Sequence, residues 1–518
     1  MTEQLDDGGR RRTRSRGSAR GRPRPSLPEQ RPFAQPRLLQ GPTEILSADQ
    51  IEAIHHASLR ILRDLGMKVL DPVTRDLYAG AGATVRDEQV CLDPEMVEEL
   101  IRTAPSEFTL HSWNPERSLQ IGGDRLAFGS VASAPNAADL DGGRRTGNRE
   151  DFRNLLRLAQ MLTSIHFLGG YPVEPVDIHP SVRHLQAGFD MLTLTDRVID
   201  VYSLGRQRNL DVIEMVRIAR GRTPEQLDRE PSLYTIINTN SPLTLDVPMG
   251  HGIIEMATAN QVTCVTPFTL AGAMAPITLA GALAQQNAEA LAGLVLTQIV
   301  RPGSPFVYGG FTSNVDMQSG APAFGTPEYW KTAIIGGQLA RRYAVPYRSS
   351  NTCAANAVDA QAAYESMFSL WGAVSGNSNF MMHGAGWMEG GLQASFEKMV
   401  LDADLLHMVS ASLDPLVIDE DTLAFDAIEQ VGPGGHFFGV DHTQARFRTA
   451  FYRPMISDWR NYETWAEAGS PQAAEKANRL VKAFLAEYEP PPLPDDRLAE
   501  LTEFVERRTA EGGVPTDF

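Results

Sequence analysis

The sequence predicts an α/β protein whose centre is a closed (β/α)8 barrel, or TIM barrel, with helical N-terminal and C-terminal extensions. Short apolar runs that end in small or polar residues recur eight times between residues 124 and 415, and a helical pattern follows each run. Regular alternation of this kind favours a parallel sheet, and eight units over this length match a closed barrel. An open doubly wound sheet is the alternative, although no Gly-x-Gly-x-x-Gly follows the first strand.

Two regions precede the predicted barrel. Residues 1–40 contain ten arginines and four acidic residues among Gly, Ser and Pro, so we expect a disordered Arg-rich tail that cannot bury enough apolar surface to fold. An arm that binds a polyanion is the alternative interpretation of the same arginines. Residues 41–123 are predicted to form a helical extension with short strands, in which Ser47 caps a helix.

The barrel itself, residues 124–415, is predicted from eight strands and eight helices. The predicted strands are 126–130, 165–170, 198–204, 233–238, 262–270, 306–310, 345–350 and 379–384. The predicted helices are 150–162, 181–193, 208–219, 248–260, 277–300, 327–343, 358–375 and 394–411. Residues 416–518 contain two further helical patterns, 470–487 and 495–510, and are interpreted as an extension packed on the barrel.

Charge and composition argue against several classes of function. The chain has 47 basic and 64 acidic residues and a net charge of −17, which argues against nucleic-acid binding by its body. The longest weakly polar stretch, 269–284, is shorter than the span of about 20 residues that a membrane helix needs, so we expect no membrane segment. Three scattered cysteines predict no disulfide framework and no zinc site, as is typical of a cytoplasmic protein.

The active site of such a barrel lies at the carboxyl ends of its strands. Residues that follow the predicted strands include many aromatics and few ionisable groups: Tyr171, Tyr202, Tyr308, Phe311, Tyr347 and Trp387, with His383, Arg348 and Glu389. Aromatic faces attract organic cations, so this set indicates a site for such a cation, while filling the barrel core is the alternative for each ring. Glycines flank Tyr308, Phe311, His383 and Trp387, and glycine permits close approach of a ligand.

Seven short motifs occur in a fixed order along the chain. They are LSADQIEAIH at 46–55, NSPL at 240–243, NAEAL at 287–291, VYG at 307–309, DAQA at 359–362, GAG at 384–386 followed by Glu389, and VGPGGHFF at 431–438. Together they resemble the trimethylamine methyltransferase family, whose members transfer a methyl group from an amine to a corrinoid protein. The resemblance covers nearly all of residues 41–510 and implies the same (β/α)8 barrel.

The sequence departs from the family at the end of the seventh strand. Trimethylamine-specific members have pyrrolysine there, whereas this chain has ordinary residues around Asn351 or Thr352. It therefore resembles the branch without pyrrolysine, whose members are similar to glycine betaine methyltransferases. A quaternary ammonium already carries its charge and loses a methyl group as a neutral tertiary amine, so the reaction needs no general acid.

The resemblance implies a corrinoid-dependent methyltransferase that moves a methyl group from a small quaternary amine, such as glycine betaine, to Co(I) of a partner corrinoid protein. No Asp-x-His-x-x-Gly motif is present, so we expect the corrinoid on the partner and no cofactor or metal on this chain. The implied ammonium cage consists of Tyr308, Phe311 and Trp387, with Tyr347 and Tyr202 as further members. His383 and Arg348 would bind the substrate carboxylate, and Glu389 would balance charge or orient His383. Asn351 would occupy the pyrrolysine position. We also expect a homo-oligomer.

Two other functions stay open from the sequence. A barrel lyase or hydrolase could use His383 and Glu389 as acid and base. A noncatalytic protein could bind quaternary amines without turning them over. Methyl transfer from an amine separates the first hypothesis from both alternatives.

Overall fold

The computed structural model describes residues 27–516 of the chain. The greater part of the predicted disordered tail, residues 1–26, lies outside the described residues. Residues 27–40, which the sequence analysis assigned to that tail, pack against the rest of the chain, and the Leu38 backbone N–H donates to the Asp124 carbonyl over 2.7 Å. Leu38 is buried, so the packed part of the chain begins before residue 41.

The strands are short and run through the whole described chain. In order they are β1 Met67–Val69, β2 Thr84–Arg86, β3 Gln89–Cys91, β4 Glu107–Leu110, β5 Leu119–Gly122, β6 Ala127–Ser130, β7 Asn136–Asp139, β8 Gly143–Thr146, β9 Tyr234–Ile237, β10 Thr244–Leu245, β11 Val262–Val265, β12 Phe268–Ala271, β13 Phe306–Gly309, β14 Phe311–Val315, β15 Pro322–Ala323, β16 Tyr347–Ser350, β17 Phe380–Ala385, β18 Trp387–Met388 and β19 Gln393–Ser395.

The helices alternate with these strands and then dominate the C-terminal region. In order they are α1 Ala48–Arg60, α2 Pro72–Gly80, α3 Pro94–Ile101, α4 Arg149–Met161, α5 Pro180–Leu194, α6 Arg206–Arg220, α7 Pro224–Leu227, α8 Val247–Thr258, α9 Leu279–Val300, α10 Pro327–Arg342, α11 Ala360–Ser375, α12 Phe396–Leu413, α13 Glu420–Leu423, α14 Phe425–Val431, α15 Asp441–Arg446, α16 Tyr462–Glu467, α17 Ala473–Ala486 and α18 Asp495–Ala510. Each of the ten helices predicted in the barrel and the C-terminal extension has a counterpart here.

The N-terminal extension contains strands as well as helices. The α1 helix begins as predicted, because Ser47 accepts from the backbone of Gln50 in a capping box. Strands β1, β2 and β3 form a small sheet with β10, while β4 and β5 pair as an antiparallel hairpin. These short strands accompany the helices α1, α2 and α3, as expected for a helical extension with short strands.

Six of the eight predicted barrel strands form one parallel sheet in the order β6-β17-β16-β13-β11-β9. The other two predicted strands, 165–170 and 198–204, make only isolated parallel bridges, which join Gly129 to Phe167, Phe167 to Val198 and Asp200 to Tyr234. Gly169 and Gly170 end the first of these segments, and glycine weakens regular strand pairing. The structure thus shows a curled parallel sheet of six strands with two bridged segments between its edges.

An aromatic cluster fills the space that this curled sheet encloses. Phe167 stacks on Phe380 with 3.9 Å between ring centroids, and Tyr234 meets both rings edge-on. All three side chains are buried. Because Phe380 begins β17 and Tyr234 begins β9, the cluster lies below the carboxyl ends of the strands and leaves those ends free to form a site.

The C-terminal extension has a packed part and an exposed part. Helix α17 contacts α4 and α12, and α18 contacts α5 and α6, as expected for an extension packed on the central unit. Residues 416–462 differ, because large apolar side chains such as Leu416, Phe438 and Phe451 are more than four-fifths exposed there. No helix within residues 27–516 is long and apolar enough to cross a membrane.

Candidate active site

A cavity of about 360 Å³ lies at the carboxyl ends of the central strands. It is lined by Ala132, Ser133, Gly169, Asp200, Tyr202, Ser203, Ile236, Asn238, Met249, Phe268, Phe311, Arg348, Met382, His383, Trp387 and Gly391. Five residues chosen from the sequence, Tyr202, Phe311, Arg348, His383 and Trp387, are therefore brought together here. Four others, Tyr308, Tyr347, Asn351 and Glu389, do not line the cavity.

His383 reaches the cavity from a distorted part of β17. Its φ of +55° is left-handed, and the register between β17 and β6 shifts between Met381 and Ala385. Irregularities of this kind cost about 1–3 kcal/mol and often re-aim a side chain at a functional site. The His383 Nδ1 lies 3.2 Å from the Ser350 hydroxyl, and the ring stacks on Trp387 at 5.3 Å.

The imidazole of His383 is uncharged at neutral pH. Burial holds the pKa of His383 well below its usual value, and the nearby charge of Arg348 lowers it further. Since Nδ1 is engaged with Ser350, Nε2 is the ring nitrogen that can hydrogen-bond a ligand.

Arg348 is a buried cation at the wall of the cavity. Its side chain is 2% exposed, one guanidinium nitrogen donates to the Gly310 carbonyl at 3.4 Å, and Nε has no hydrogen-bond partner. Within residues 27–516 it makes no ion pair. A buried guanidinium in this state is costly alone and suits a carboxylate, which it can bind with two parallel hydrogen bonds.

Asp200 is a cavity residue that the sequence analysis missed. It is 3% exposed, lines the cavity, and its Oδ1 has no hydrogen-bond partner. Burial raises the pKa of Asp200 well above its usual value, and only the backbone N–H of Ile236 opposes that rise. Alternation along the predicted strand 198–204 offered a signal, since Asp200 and Tyr202 lie on the same face.

Aromatic rings form the remaining walls of the cavity. The parallel strands β12 and β14 place Phe268 directly opposite Phe311, with ring centroids 5.2 Å apart. Phe311 also meets Trp387 edge-on at 6.3 Å. On the other side, Tyr202 stacks on Tyr171 at 5.2 Å. The cavity therefore combines apolar ring faces with two buried groups of opposite formal charge.

Tyr308 and Tyr347 face away from the cavity, so their expected place in an ammonium cage must be corrected. The Tyr308 hydroxyl donates to Asn287 Oδ1 at 2.8 Å and accepts from Gln286 Nε2 at 3.0 Å, both on α9. The Tyr347 hydroxyl donates to the Ala333 carbonyl of α10 at 2.8 Å. Both rings lie between the sheet and its surrounding helices, because successive side chains of a strand alternate between its two faces.

Glu389 and Asn351 also differ from their expected roles. The Glu389 carboxylate accepts two hydrogen bonds from Arg144, at 2.7 and 3.1 Å, and does not contact His383. Asn351 donates from Nδ2 to the Gly384 carbonyl at 2.9 Å, which braces β17 beneath the cavity. The structure therefore does not form the His383–Glu389 pair on which an acid–base lyase or hydrolase would depend.

Two buried carboxylates hold the loops around the cavity. Asp402 accepts a hydrogen bond from the Gly386 backbone N–H at 2.9 Å and forms an ion pair with Lys398. The side chains of Asp402 and Lys398 are both fully buried. Glu289 on α9 accepts from Ser241 at 2.7 Å and from the Leu243 backbone at 2.9 Å. These contacts explain why the motifs at 240–243 and 287–291 occur together, since one anchors the other.

Within residues 27–516, no group of three His, Cys, Asp or Glu side chains is arranged to hold a metal ion. Two cysteine thiols, those of Cys264 and Cys353, are buried. Burial raises the pKa of Cys264 to about 11 and that of Cys353 to about 12, so both are protonated at neutral pH.

Comparison with known proteins identifies the family. The sequence profile described as trimethylamine methyltransferase (MTTB) matches residues 8–513. A glycine betaine methyltransferase of Desulfitobacterium hafniense strain Y51 is 36% identical over 90% of this chain and 98% of its own.

Two more distant relatives, found by sequence, agree with that match. Trimethylamine methyltransferase MttB of D. hafniense strain DCB-2 is 29% identical, over 90% of this chain and 94% of its own, and MttB1 of Methanosarcina mazei is 27% identical, over 89% and 94%. A solved structure of monomethylamine methyltransferase from Methanosarcina barkeri is 9% identical over 90% of this chain and 93% of that chain, with a TM-score of 0.42. From the profile match and the relatives, the chain is a methyltransferase and belongs to the trimethylamine methyltransferase family.

Proposed function

We propose that the protein transfers a methyl group from glycine betaine, or a similarly small quaternary amine that carries a carboxylate, to a reduced corrinoid on a partner protein. The cavity carries the proposal, because it combines aromatic walls with the unpaired buried guanidinium of Arg348. A relative named glycine betaine methyltransferase that aligns over 90% of the chain supports the choice of substrate.

The proposed reaction needs little acid–base chemistry from the protein. One N–CH3 bond breaks, its electron pair stays on nitrogen, and the tertiary amine leaves neutral while the nucleophile gains the methyl group. Neutral His383 fits this requirement, since no proton must be delivered to the leaving nitrogen. Positive charge on nitrogen disperses along the reaction path, so apolar walls that exclude water favour the transition state over the bound substrate.

The side chains of the cavity would orient the substrate for in-line attack. Arg348 and Nε2 of His383 hold the carboxylate, while Tyr202, Phe311 and Trp387 surround the rest of the molecule. The methyl acceptor comes from outside the chain in this proposal, and the buried, protonated thiols of Cys264 and Cys353 do not compete for the methyl group. A reduced corrinoid on a partner supplies the nucleophile.

We further propose that the curled sheet is a closed eight-stranded barrel. The three parallel bridges through Phe167, Val198 and Asp200 support closure, because they connect the edge strands β6 and β9. Closure also explains why residues from all parts of the sheet line one cavity.

We propose that the protein is a cytoplasmic homo-oligomer. The apolar side chains exposed along residues 416–462 support assembly, and three free cysteines suit a reducing compartment. Light scattering of the purified protein tests assembly, and a monomer at micromolar concentration would contradict it.

The reaction is tested with purified protein and Co(I) cobalamin under anaerobic conditions. Glycine betaine, proline betaine, carnitine, choline and trimethylamine are added separately, and the visible spectrum is followed for methylcobalamin. We expect methylation with a carboxylate-bearing quaternary amine and none with trimethylamine, together with an equal amount of the demethylated amine by mass spectrometry. Absence of product with every carboxylate-bearing quaternary amine would refute the proposed reaction.

A further inference from the structure

Arg348 and Asp200 line the same cavity from opposite walls of the curled sheet. Arg348 lies on β16, and the segment that contains Asp200 bridges to Tyr234 of β9. Three strands, β13, β11 and β9, separate the two residues in one direction. In the other direction β17, β6 and the segment containing Phe167 separate them. The two groups therefore stand across the cavity from one another.

Neither group has a counter-charge in the part of the chain that the structure describes. Arg348 Nε and Asp200 Oδ1 are both buried without hydrogen-bond partners, and no ion pair of either residue occurs within residues 27–516. Both are at least 97% buried. A buried ionisable group without a partner is costly to keep charged, and burial accordingly raises the pKa of Asp200 well above its usual value. A ligand that carries both charges would satisfy the two groups at once.

The positions of the aromatic rings decide which end of the ligand faces which group. The guanidinium of Arg348 lies 5.0 Å from the centre of the Phe311 ring, so this ring face already holds a positive charge. A second cation beside Arg348 would be repelled. Tyr202 lines the opposite side with Asp200, and its ring offers a face to a cation without a competing charge in the cavity.

We propose that Asp200 is the specificity-determining residue of the site: the ammonium of a zwitterionic substrate faces Asp200 and Tyr202, and its carboxylate faces Arg348. The inference rests on the proposed function for the use of this cavity. It shifts the ammonium away from the Phe311 and Trp387 side, and leaves those rings to enclose the apolar part of the substrate. Tyr171, Tyr234 and Cys264 also lie near Asp200 and carry no positive charge, so these neighbours leave Asp200 available to a substrate ammonium.

Three small molecules of nearly equal shape test the proposal by isothermal titration calorimetry. Glycine betaine carries both charges, 3,3-dimethylbutyrate replaces the nitrogen by carbon and keeps only the carboxylate, and choline keeps only the ammonium. We expect the unmodified protein to bind glycine betaine about tenfold or more tightly than either of the others. Equal affinity for glycine betaine and 3,3-dimethylbutyrate would overturn the proposal without any mutation.

Substitutions then assign each charge to its residue. Asp200→Asn should abolish the preference for glycine betaine over 3,3-dimethylbutyrate and keep the preference for glycine betaine over choline. Arg348→Gln should abolish the preference over choline and keep the preference over 3,3-dimethylbutyrate. Asp228→Asn, which breaks a peripheral pair with Arg301, is the matched control and should keep both preferences. Thermal unfolding checks that each variant is folded. If Asp200→Asn does not fold, the comparison of ligands on the unmodified protein decides alone.

The two proposals fail in different ways. Methyl transfer from glycine betaine with the full preference retained in Asp200→Asn would overturn the role of Asp200 and leave the proposed reaction standing. If the protein prefers glycine betaine over both singly charged ligands but transfers no methyl group to cobalamin, the proposed reaction is overturned and the proposed role of Asp200 still stands. Absence of binding of every carboxylate-bearing quaternary amine to the unmodified protein would overturn both.

Discussion

Tyr308 and Phe311 are three residues apart in the sequence, yet only Phe311 lines the cavity. Tyr308 instead bonds to Gln286 and Asn287 of α9. Glycines flank both residues, and this feature singled out both in the sequence. The flanking glycines indicated the end of a strand but carried no information about which face of the sheet each ring occupies.

This difference gives a paired prediction. Phe311→Ala should lower kcat/KM for the proposed substrate by about tenfold, because it removes a ring from the cavity wall. Tyr308→Phe should leave kcat/KM unchanged and lower the free energy of unfolding by about 1 kcal/mol, because Asn287 and Gln286 lose a partner. Steady-state kinetics and urea unfolding measure the two effects. A larger kinetic effect at Tyr308 than at Phe311 would contradict the site.

Glu389 and His383 give a second contrast. Glu389→Gln loses only its charged contact with Arg144 and should keep kcat/KM within about twofold, since the pair lies outside the cavity and near solvent. His383→Gln should lower kcat/KM more strongly, mainly through KM, because the side chain would hold the substrate carboxylate. Equal losses in both variants would restore the acid–base pair as a working hypothesis.

Asp200 shows what sequence reasoning at this scale could have reached. The strand 198–204 was predicted, and Tyr202 was chosen from it, so the two-residue period already placed Asp200 on the same face. Arg348 lines the cavity, but nothing in the sequence shows whether a counter-ion lies near it. That property depends on which side chains the fold brings near it.

At the scale of elements, the buried Lys398–Asp402 pair joins helix α12 to the end of β17. Asp402 holds the backbone of Gly386, and Gly386 immediately precedes Trp387 of the cavity. Lys398 also donates to Ser366 on α11 at 2.6 Å. The pair therefore fixes the loop that presents Trp387, although neither residue lines the cavity itself.

Lys398→Met should lower the free energy of unfolding by about 3–5 kcal/mol, because it leaves Asp402 buried without its partner. Urea unfolding followed by circular dichroism measures this loss. Lys482→Met, which removes a surface pair with Asp141, is the control and should have little effect. A similar small change in both variants would show that Lys398 does not support the loop.

The elements themselves were largely predictable from the sequence. Helices such as α9 and α12 are long, and capping residues mark the start of α1, α4 and α10. Strands β1, β2 and β3 have three residues each, too short for a periodic pattern, so the sequence indicates short strands there but not their bounds or their pairing. The segments 165–170 and 198–204 have strand-like composition, but their pairing depends on contacts that composition does not report.

At the scale of the whole molecule, several buried histidines couple stability to pH. Burial lowers the pKa of His166 to about 3 and that of His407 to about 4. In the unfolded chain both titrate near their ordinary value of about 6.5. Between these values the unfolded state binds more protons than the folded state, so stability is complete above about pH 6.5 and is lost as the pH falls toward the folded-state values.

The free energy of unfolding should therefore fall between pH 6.5 and 4.5, with each such histidine contributing up to about 1.4 kcal/mol per pH unit. Urea unfolding at a series of pH values measures the slope. His407→Gln should reduce the slope, whereas His56→Gln, at an exposed position, should not change it. An unchanged slope in His407→Gln would show that His407 does not contribute.

The pairing of β6 with β17 also sets an order of events during synthesis. Phe128 of β6 pairs with Met381 of β17, 253 residues later in the chain. At about 5–20 residues per second, a ribosome needs about 13–50 s to make the intervening chain. One edge of β6 stays without its partner strand β17 for that time, and every strand between β6 and β17 leaves the ribosome before β17. The cavity is therefore completed only after nearly three-quarters of the protein has been made.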